Sequence, residues 1–435
     1  MTNQRPLTPF ELAHFDRESQ LGNVPKAEVA LWIGTTVRGD LDLDTLREVL
    51  AELAASHALL HAVAVADGHG GMRFELLADY QPPLEVRTGA QDEYLRLINS
   101  TPDWSTGLFK AHVISDGDVH RVVIVVHHGI CDGRSMFPLV GELWERYSAH
   151  RAGSPLPVSD SDSVLVDGVD AQLAGTVTEA EVDAFLEQLA FIVAAGDPNL
   201  VPLQLPFDSD GTADARGRFA LHTIELSPEE TATVVTAATA HGFSVNSLLS
   251  GAALAAVRSE LDADAGPVMM LAGHAVDVRA ELSPPLPGPT VLNCVGGVPT
   301  PVFAAADVDP VELAKMVEVG VRGAVEARFP ALILRALVRG IDPVAAGMPV
   351  VLPTLGLSNI GRIPAYPVPD ELELVRNFVY AKAPGMPPAM TMFTIGDRLT
   401  IQVEYDTVEH THEQLGRVTE AMREQLRRLA GIEAR

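Results

Sequence analysis

Two α/β subdomains, each built on a mixed or antiparallel sheet flanked by helices, are what this sequence predicts, and three observations carry the prediction. Segments of strand and helix character alternate along the whole chain. At 435 residues, 47% hydrophobic and 20% charged, the chain can bury a large core but is long for a single one. Runs such as "IGDRLTIQVEYD" signal antiparallel pairing among the helices rather than a doubly wound parallel sheet.

The elements follow in order. "AEVALWIGTTV" (27–37) is short and rich in β-branched residues. "LDLDTLREVLAELAASH" (41–57) sets Leu43, Leu46, Val49, Leu50 and Leu53 on one helical stripe, and "MRFELL" (72–77) returns to extended spacing. Strands are expected at 108–115 and 119–127, paired as a hairpin across the turn signal "SDGDVH". A helix near 135–150 follows, with Phe137, Val140, Leu143, Trp144 and Tyr147 recurring at three and four. The texture then changes, because 151–175 and 196–217 are rich in Pro, Ser, Gly and Asp around one helical stretch. The crossover between halves is expected in 151–217, with subdomains at 1–175 and 176–435. Beyond it the alternation resumes: strand 218–226, helices near 228–241 and 245–261, strands near 267–277 and 293–303, and a long helix 309–328. Strands near 351–358, 372–381, 388–395 and 399–406 and a closing helix 412–429 complete the chain.

The balance of 31 Lys plus Arg against 58 Asp plus Glu, a net charge of −27, repels nucleic acid and anionic membrane surfaces. Small molecules, or proteins that find a local basic patch, are the expected partners. Two cysteines, Cys131 and Cys294, form no CxxC pair, so neither a disulfide framework nor a zinc ribbon is expected, and the compartment reads as reducing. The start "MTNQRPLTPFELAHF" lacks the basic and apolar regions of a signal peptide, and no run approaches the roughly 18 apolar residues of a membrane span. A cytoplasmic protein without a transmembrane segment is the expectation.

One stretch carries chemistry. "RVVIVVHHGICDGRSM", Arg121 to Met136, drives five branched apolar residues straight into two histidines, then an aspartate and a glycine. Strand side chains alternate between faces, so His127 and His128 cannot share one metal, and no metal is expected here. One imidazole is left to face a cavity and the other to pack behind it. A neutral imidazole, with an ordinary pKa near 6.5, suits a general base, and His128 is assigned that role. Asp132 either orients the imidazole or pairs with an arginine and holds the loop, since an unpaired buried carboxylate costs several kcal/mol. Gly133 permits a sharp turn or a close backbone approach.

"HHGICDG" fits the HHxxxDG pattern of the acyltransferase superfamily of nonribosomal-peptide condensation domains, plant acyltransferases and actinobacterial polyketide-associated acyltransferases. "LREVLAELAASHALLHA" resembles the family's early helix, "HGFSVNSLLSGAALAAV" its central helix, and "HAVDVRAELSPPLPGPTVLNCVGG" a segment of the polyketide-associated branch. "LSNIGRIP" resembles a segment of alcohol and wax-ester acyltransferases, and the whole is most like the phthiocerol dimycocerosyl transferase group. The resemblance implies two chloramphenicol-acetyltransferase-like subdomains with an active-site channel at their interface. It implies a substrate donor, acyl-coenzyme A or a phosphopantetheine-linked acyl group on an acyl carrier protein, with no permanently bound cofactor. It further implies that His128 takes a proton from a small alcohol or amine acceptor, which attacks the thioester directly, and that Asp132 pairs with Arg279. General-base help of this kind supplies about 10²–10⁴-fold, the rest coming from alignment and oxyanion stabilisation. "DFGWG", the late signature of the plant branch, is absent. Ester formation is the leading reading; a condensation-like amide-forming enzyme and an idle recruiting domain are the alternatives.

Other residues have readings of both kinds. Asn359 can donate its amide to an oxyanion or serve as a turn residue before Gly361, and Ser358 shares that choice. Cys131 as a nucleophile would need an electropositive setting, whereas a small buried filler needs nothing. His410 and His412 have metal-like spacing, yet Thr411 and Gln414 read as a capping box. Asn246, Asn293 and Gly296 read as turn and packing positions. Arg322, Arg328, Arg335 and Arg339 form the densest arginine row of an acidic chain: a solvated helix face, or a dock for an acidic carrier protein.

Overall fold

The structure, a computed structural model, describes residues 3–16, 18–21, 24–25, 29–154, 164–195, 201–261, 266–339 and 352–430. Parts of the expected crossover (155–163 and 196–200) and the starts of the strands expected at 27 and 351 lie outside the described residues.

In chain order the elements are β1 (Gln4–Pro6), α1 (Pro9–Leu12), β2 (Gln20–Leu21), β3 (Val24–Pro25), β4 (Ala30–Gly39), α2 (Leu43–Ser56), β5 (Ala62–Ala66) and β6 (Met72–Leu76). Then come β7 (Leu84–Thr88), α3 (Gln91–Ile98), β8 (Phe109–Asp116), β9 (Val119–His127), α4 (Gly133–Ala152), α5 (Val169–Leu173) and α6 (Glu179–Ala195). They continue with β10 (Phe219–Glu225), α7 (Pro228–His241), α8 (Val245–Arg258), β11 (Val268–Asp277), β12 (Val295–Ala304), α9 (Pro310–Glu326) and α10 (Phe329–Val338). The last are β13 (Leu355–Ile363), β14 (Leu372–Tyr380), β15 (Ala389–Ile395), β16 (Arg398–Asp406) and α11 (His412–Ala430).

The chain divides into two compact units. Unit 1 comprises Met1–Thr176, Arg279–Cys294 and Ile363–Ala383, and unit 2 the rest. The first division, after Thr176, lies next to the expected 175/176 boundary, whereas Arg279–Cys294 and Ile363–Ala383 fall in unit 1 rather than in a contiguous second half. Two later segments belong to unit 1 because β14 pairs antiparallel with β4, from Leu372 opposite Gly39 to Tyr380 opposite Trp32, and because the 279–294 segment binds the loop after β9.

Unit 1 is built on a mixed five-stranded sheet in the order β14-β4-β9-β8-β7, with only β7 and β8 parallel. β9 is its central strand. Both of its faces are covered, so Val122 to Val126 are almost wholly buried, which is what a run of β-branched residues suits. β8 and β9 form the expected hairpin, turning at Gly117 with φ +61°. α2, capped by Asp42, buries Leu46, Val49, Leu50 and Leu53. α4, capped by Asp132 and ended by Gly153 at φ +61°, buries Phe137, Val140, Leu143, Trp144 and Tyr147, the stripe its periodicity predicts.

Unit 2 holds a six-stranded sheet in the order β10-β16-β15-β13-β11-β12, mixed because β11 and β13 run parallel. α8 is buried from Ser247 to Arg258 and forms the centre of its core with α9, α11 and the inner faces of β11 and β16. The expected helix 309–328 ends earlier and continues as a second helix, because Arg328 adopts φ +56° and separates α9 from α10. Among the described residues no single helix is long and apolar enough to cross a membrane.

Candidate active site

Strand β9 delivers the two histidines to different surroundings. His127, the last strand residue, is 1% exposed, lies flat on Phe15 with ring centres 4.1 Å apart at 7°, and meets the Trp104 ring edge-on at 5.2 Å. Its Nδ1 accepts a hydrogen bond from the Gly129 amide at 3.0 Å. This imidazole is packed and occupied.

His128 is half-buried at the turn beyond the strand, its backbone amide donating to the Val29 carbonyl at 3.1 Å. Its Nδ1 lies 2.8 Å from the Cys131 carbonyl oxygen. A carbonyl only accepts, so that nitrogen carries the proton and Nε2 carries a lone pair. The loop thus sets the tautomer a general base needs, using main chain where other enzymes use a carboxylate.

Asp132 does not do that job. No hydrogen bond joins it to His128; its carboxylate is 0% exposed and is consumed by other donors. Oδ2 accepts from Arg279 Nη1 and from the Cys294 amide, each at 2.8 Å. Oδ1 accepts from Arg279 Nη2 at 3.1 Å and from the Ser135 amide at 3.0 Å, closing the N-terminus of α4. Of the two roles open to Asp132, orienting the imidazole gives way to holding the loop. Arg279 is equally committed, with Nη2 also donating to the Leu292 carbonyl at 2.6 Å. The two fork geometries match, making the strong bidentate kind of ion pair.

Asn293, read from the sequence as a turn or packing position, has a more direct part, since its Nδ2 donates to the His128 carbonyl at 2.8 Å. Arg279, Asn293 and Cys294 therefore grip the His128–Asp132 turn from one segment. Gly133 is the first residue of α4 and its φ lies outside the left-handed region, so its expected sharp turn is not needed. The glycine that allows a close approach is Gly129: a Cβ there would lie 2.9 Å from His14 Cβ and from the Phe15 ring. Cys131 is wholly buried, and burial, then the Asp132 charge, pushes its thiol well above the usual range, which removes it as a nucleophile.

The remaining candidates lie in unit 2. Ser358 and Asn359 are half-buried on β13; Asn359 Oδ1 accepts from the Gly361 amide at 2.9 Å, the local turn bond, while its amide nitrogen keeps its donors. The arginine row is not free positive charge. Arg322 pairs with Glu318 and Arg328 with Glu181 at 3.4 Å; Arg335 pairs with Glu179 at 2.5 Å, and Arg339 with Glu179 and with Asp183 at 2.6 Å. The acidic run "EAEVD" at the start of α6 supplies most of those carboxylates, and that is the signal a count of arginines alone misses. His410 and His412 are each hydrogen-bonded, to Gln414 Oε1 at 2.9 Å and to Asp214 Oδ2 at 3.1 Å. The Thr411 hydroxyl caps the Gln414 amide as expected, though the Gln414 side chain turns to His410 and the Pro206 carbonyl.

Residues 215–404 match the family model described as "Phthiocerol/phthiodiolone dimycocerosyl transferase C-terminus". The chain is 24% identical over 344 residues to the phthiocerol/phthiodiolone dimycocerosyl transferase of Mycobacterium ulcerans, covering 78% of each. It is 29% identical over 254 residues to the probable non-canonical nonribosomal peptide synthetase CymA of Salinispora arenicola, covering 55% of this chain and only 3% of that much longer relative. The solved structure of polyketide synthase associated protein 5 from Mycobacterium tuberculosis shares the fold at TM-score 0.73 and 20% identity over 98% of both chains. Residues 215–404 are thus similar to the phthiocerol/phthiodiolone dimycocerosyl transferase C-terminus, and the fold is one shared with solved condensation-domain-like and acetyltransferase structures.

Proposed function

We propose that this chain moves an acyl group from a thioester, on coenzyme A or on the phosphopantetheine of a carrier protein, to the hydroxyl of a small acceptor. The observation that supports this most is the His128 ring, with Nδ1 held on the Cys131 carbonyl and the Nε2 lone pair left to accept a proton. In this reading the acceptor oxygen attacks the thioester carbonyl carbon as Nε2 takes its proton. The tetrahedral oxyanion then collapses, the C–S bond breaks, and the imidazolium returns the proton to the departing sulfur. No covalent enzyme intermediate is needed, in keeping with the buried Cys131.

A relative among peptide synthetases favours a second reading, the same base acting on an amine. The test is His128→Ala with octanoyl-coenzyme A, offered 1-octanol and octylamine in separate reactions, following free thiol and product. His128→Ala should lose about 10²-fold or more with either acceptor at an unchanged melting temperature. Retention of more than about a tenth of the wild-type rate would remove His128 as the base. Faster turnover with octylamine than with octanol would move the conclusion to amide formation.

A further inference from the structure

The segment before β2 is built onto the histidine turn. Thr8 and Glu11 form a reciprocal cap on α1, Arg5 grips both Glu11 oxygens at 2.7 and 2.6 Å, and the Phe10 amide donates to Asp170 at 3.2 Å. This much anchoring for a four-residue helix needs a purpose, and its product is the placement of two adjacent rings. Phe15 lies flat on His127, and His14 faces His128 with ring centres 6.4 Å apart at 44°. His14 is itself held from behind, its Nδ1 2.9 Å from the Phe10 carbonyl oxygen and its ring against that of Phe10 at 4.8 Å. Gly129 is the room left for this arrangement, since any Cβ there would collide with His14 and Phe15.

We propose that His14 is a positioning residue for His128: its ring is the wall that keeps the His128 imidazole in the orientation its single Nδ1 hydrogen bond selects. A lone hydrogen bond fixes one nitrogen but leaves the ring free to tilt about that contact or to turn over, which puts carbon where each nitrogen stood. A second ring standing beside it, 6.4 Å away between centres, narrows that freedom at no cost in chemistry. The inference rests on the acyl-transfer reading only in giving the fixed ring a purpose, because the orientation itself is measurable without substrate.

Nitrogen-15 NMR of histidine-labelled protein tests it, with His128→Ala used to assign the His128 signals. Wild type should show one protonated Nδ1 and one unprotonated Nε2. His14→Ala should move the two signals toward each other as the tautomer and ring orientation average, and His14→Phe, which keeps a ring and loses both nitrogens, should restore them. His14→Leu serves the same purpose if His14→Ala is too unstable to record. Unchanged His128 signals in the Ala or Leu variant overturn the proposal, as does a Phe variant that averages like Ala. With octanoyl-coenzyme A and 1-octanol, His14→Ala should lower kcat about tenfold or more and leave KM unchanged, the cost of a misplaced base. No acyl transfer by the wild-type protein would sink the acyl-transfer reading while leaving the NMR result to decide this one.

Discussion

The molecule pairs arginine with carboxylate in two contrasting regions. In unit 1, Arg279 and Asp132 meet with side chains 3% and 0% exposed, and every oxygen of the carboxylate is engaged. In unit 2, Arg335 and Arg339 meet Glu179 and Asp183 across α10 and α6, where the two carboxylates are about two-thirds exposed. The chemistry is the same and the energetics are not. Water already solvates Glu179, so losing its partner costs little; nothing would replace Arg279 beside Asp132. The difference teaches that an arginine row is a poor guide to a docking surface, whereas one arginine opposite a helix cap fixes the turn that carries the candidate base.

The largest effect should come from breaking the buried pair. Asp132→Asn or Arg279→Met alone should lower unfolding free energy by about 3–5 kcal/mol, because the survivor stays buried without its partner. The double variant should regain part of that in denaturant melts. Strictly additive losses would show that the pair is not a unit.

His274 on β11 sharpens the comparison as a buried polar group without a hydrogen-bond partner among the described residues. Both ring nitrogens lack hydrogen-bond partners at 4% exposure, and burial lowers its pKa to about 4 from the ordinary 6.5. The unfolded chain then binds the extra proton between those values, so stability rises with pH across that window and falls as pH drops from about 6.5 to 4. The loss from this group should reach roughly 3 kcal/mol at pH 4 by the usual conversion. His274→Met should flatten the pH dependence of stability by that amount. An unchanged slope would mean the imidazole is solvated or paired in solution.

The smallest effect should come from the exposed pairs. Glu179→Gln should shift stability by no more than about 1 kcal/mol, with the shift shrinking in high salt. A loss comparable to that of Asp132→Asn would erase the contrast between the two regions.

Local periodicity made most of the fold legible. The β9 run, the α2 and α4 stripes, and the β15–β16 hairpin lie where pattern and turn chemistry put them. β7 and α3 were not legible, because "LEVRT" and "QDEYLRLI" are shorter than the span over which a period can be read. Nor can local pattern reveal that β14 crosses back to β4, which depends on register between residues more than 330 positions apart. At the candidate site, the choice of His128 rests on the residues, while the partnership of Asp132 with Arg279 came only through family resemblance, as their 147-residue separation carries no periodic signal. Gly129 and His14 escaped altogether, and Asn293 read only as a turn or packing position. Their parts are set by which backbone passes within reach of the turn, and composition does not encode that.

The late return of β14 bears on how the protein can be made and cut. During synthesis β4 waits with one edge open until Tyr380 has emerged, so the first sheet is completed only long after its own central strands have been made. A fragment stopping at Thr176 would contain both histidines and yet present β4 as a bare edge, with the arginine that holds Asp132 missing. Such an edge templates association with other chains. Anyone dissecting the chain into halves should therefore expect the N-terminal piece to aggregate unless the segments carrying Arg279 and β14 are supplied with it.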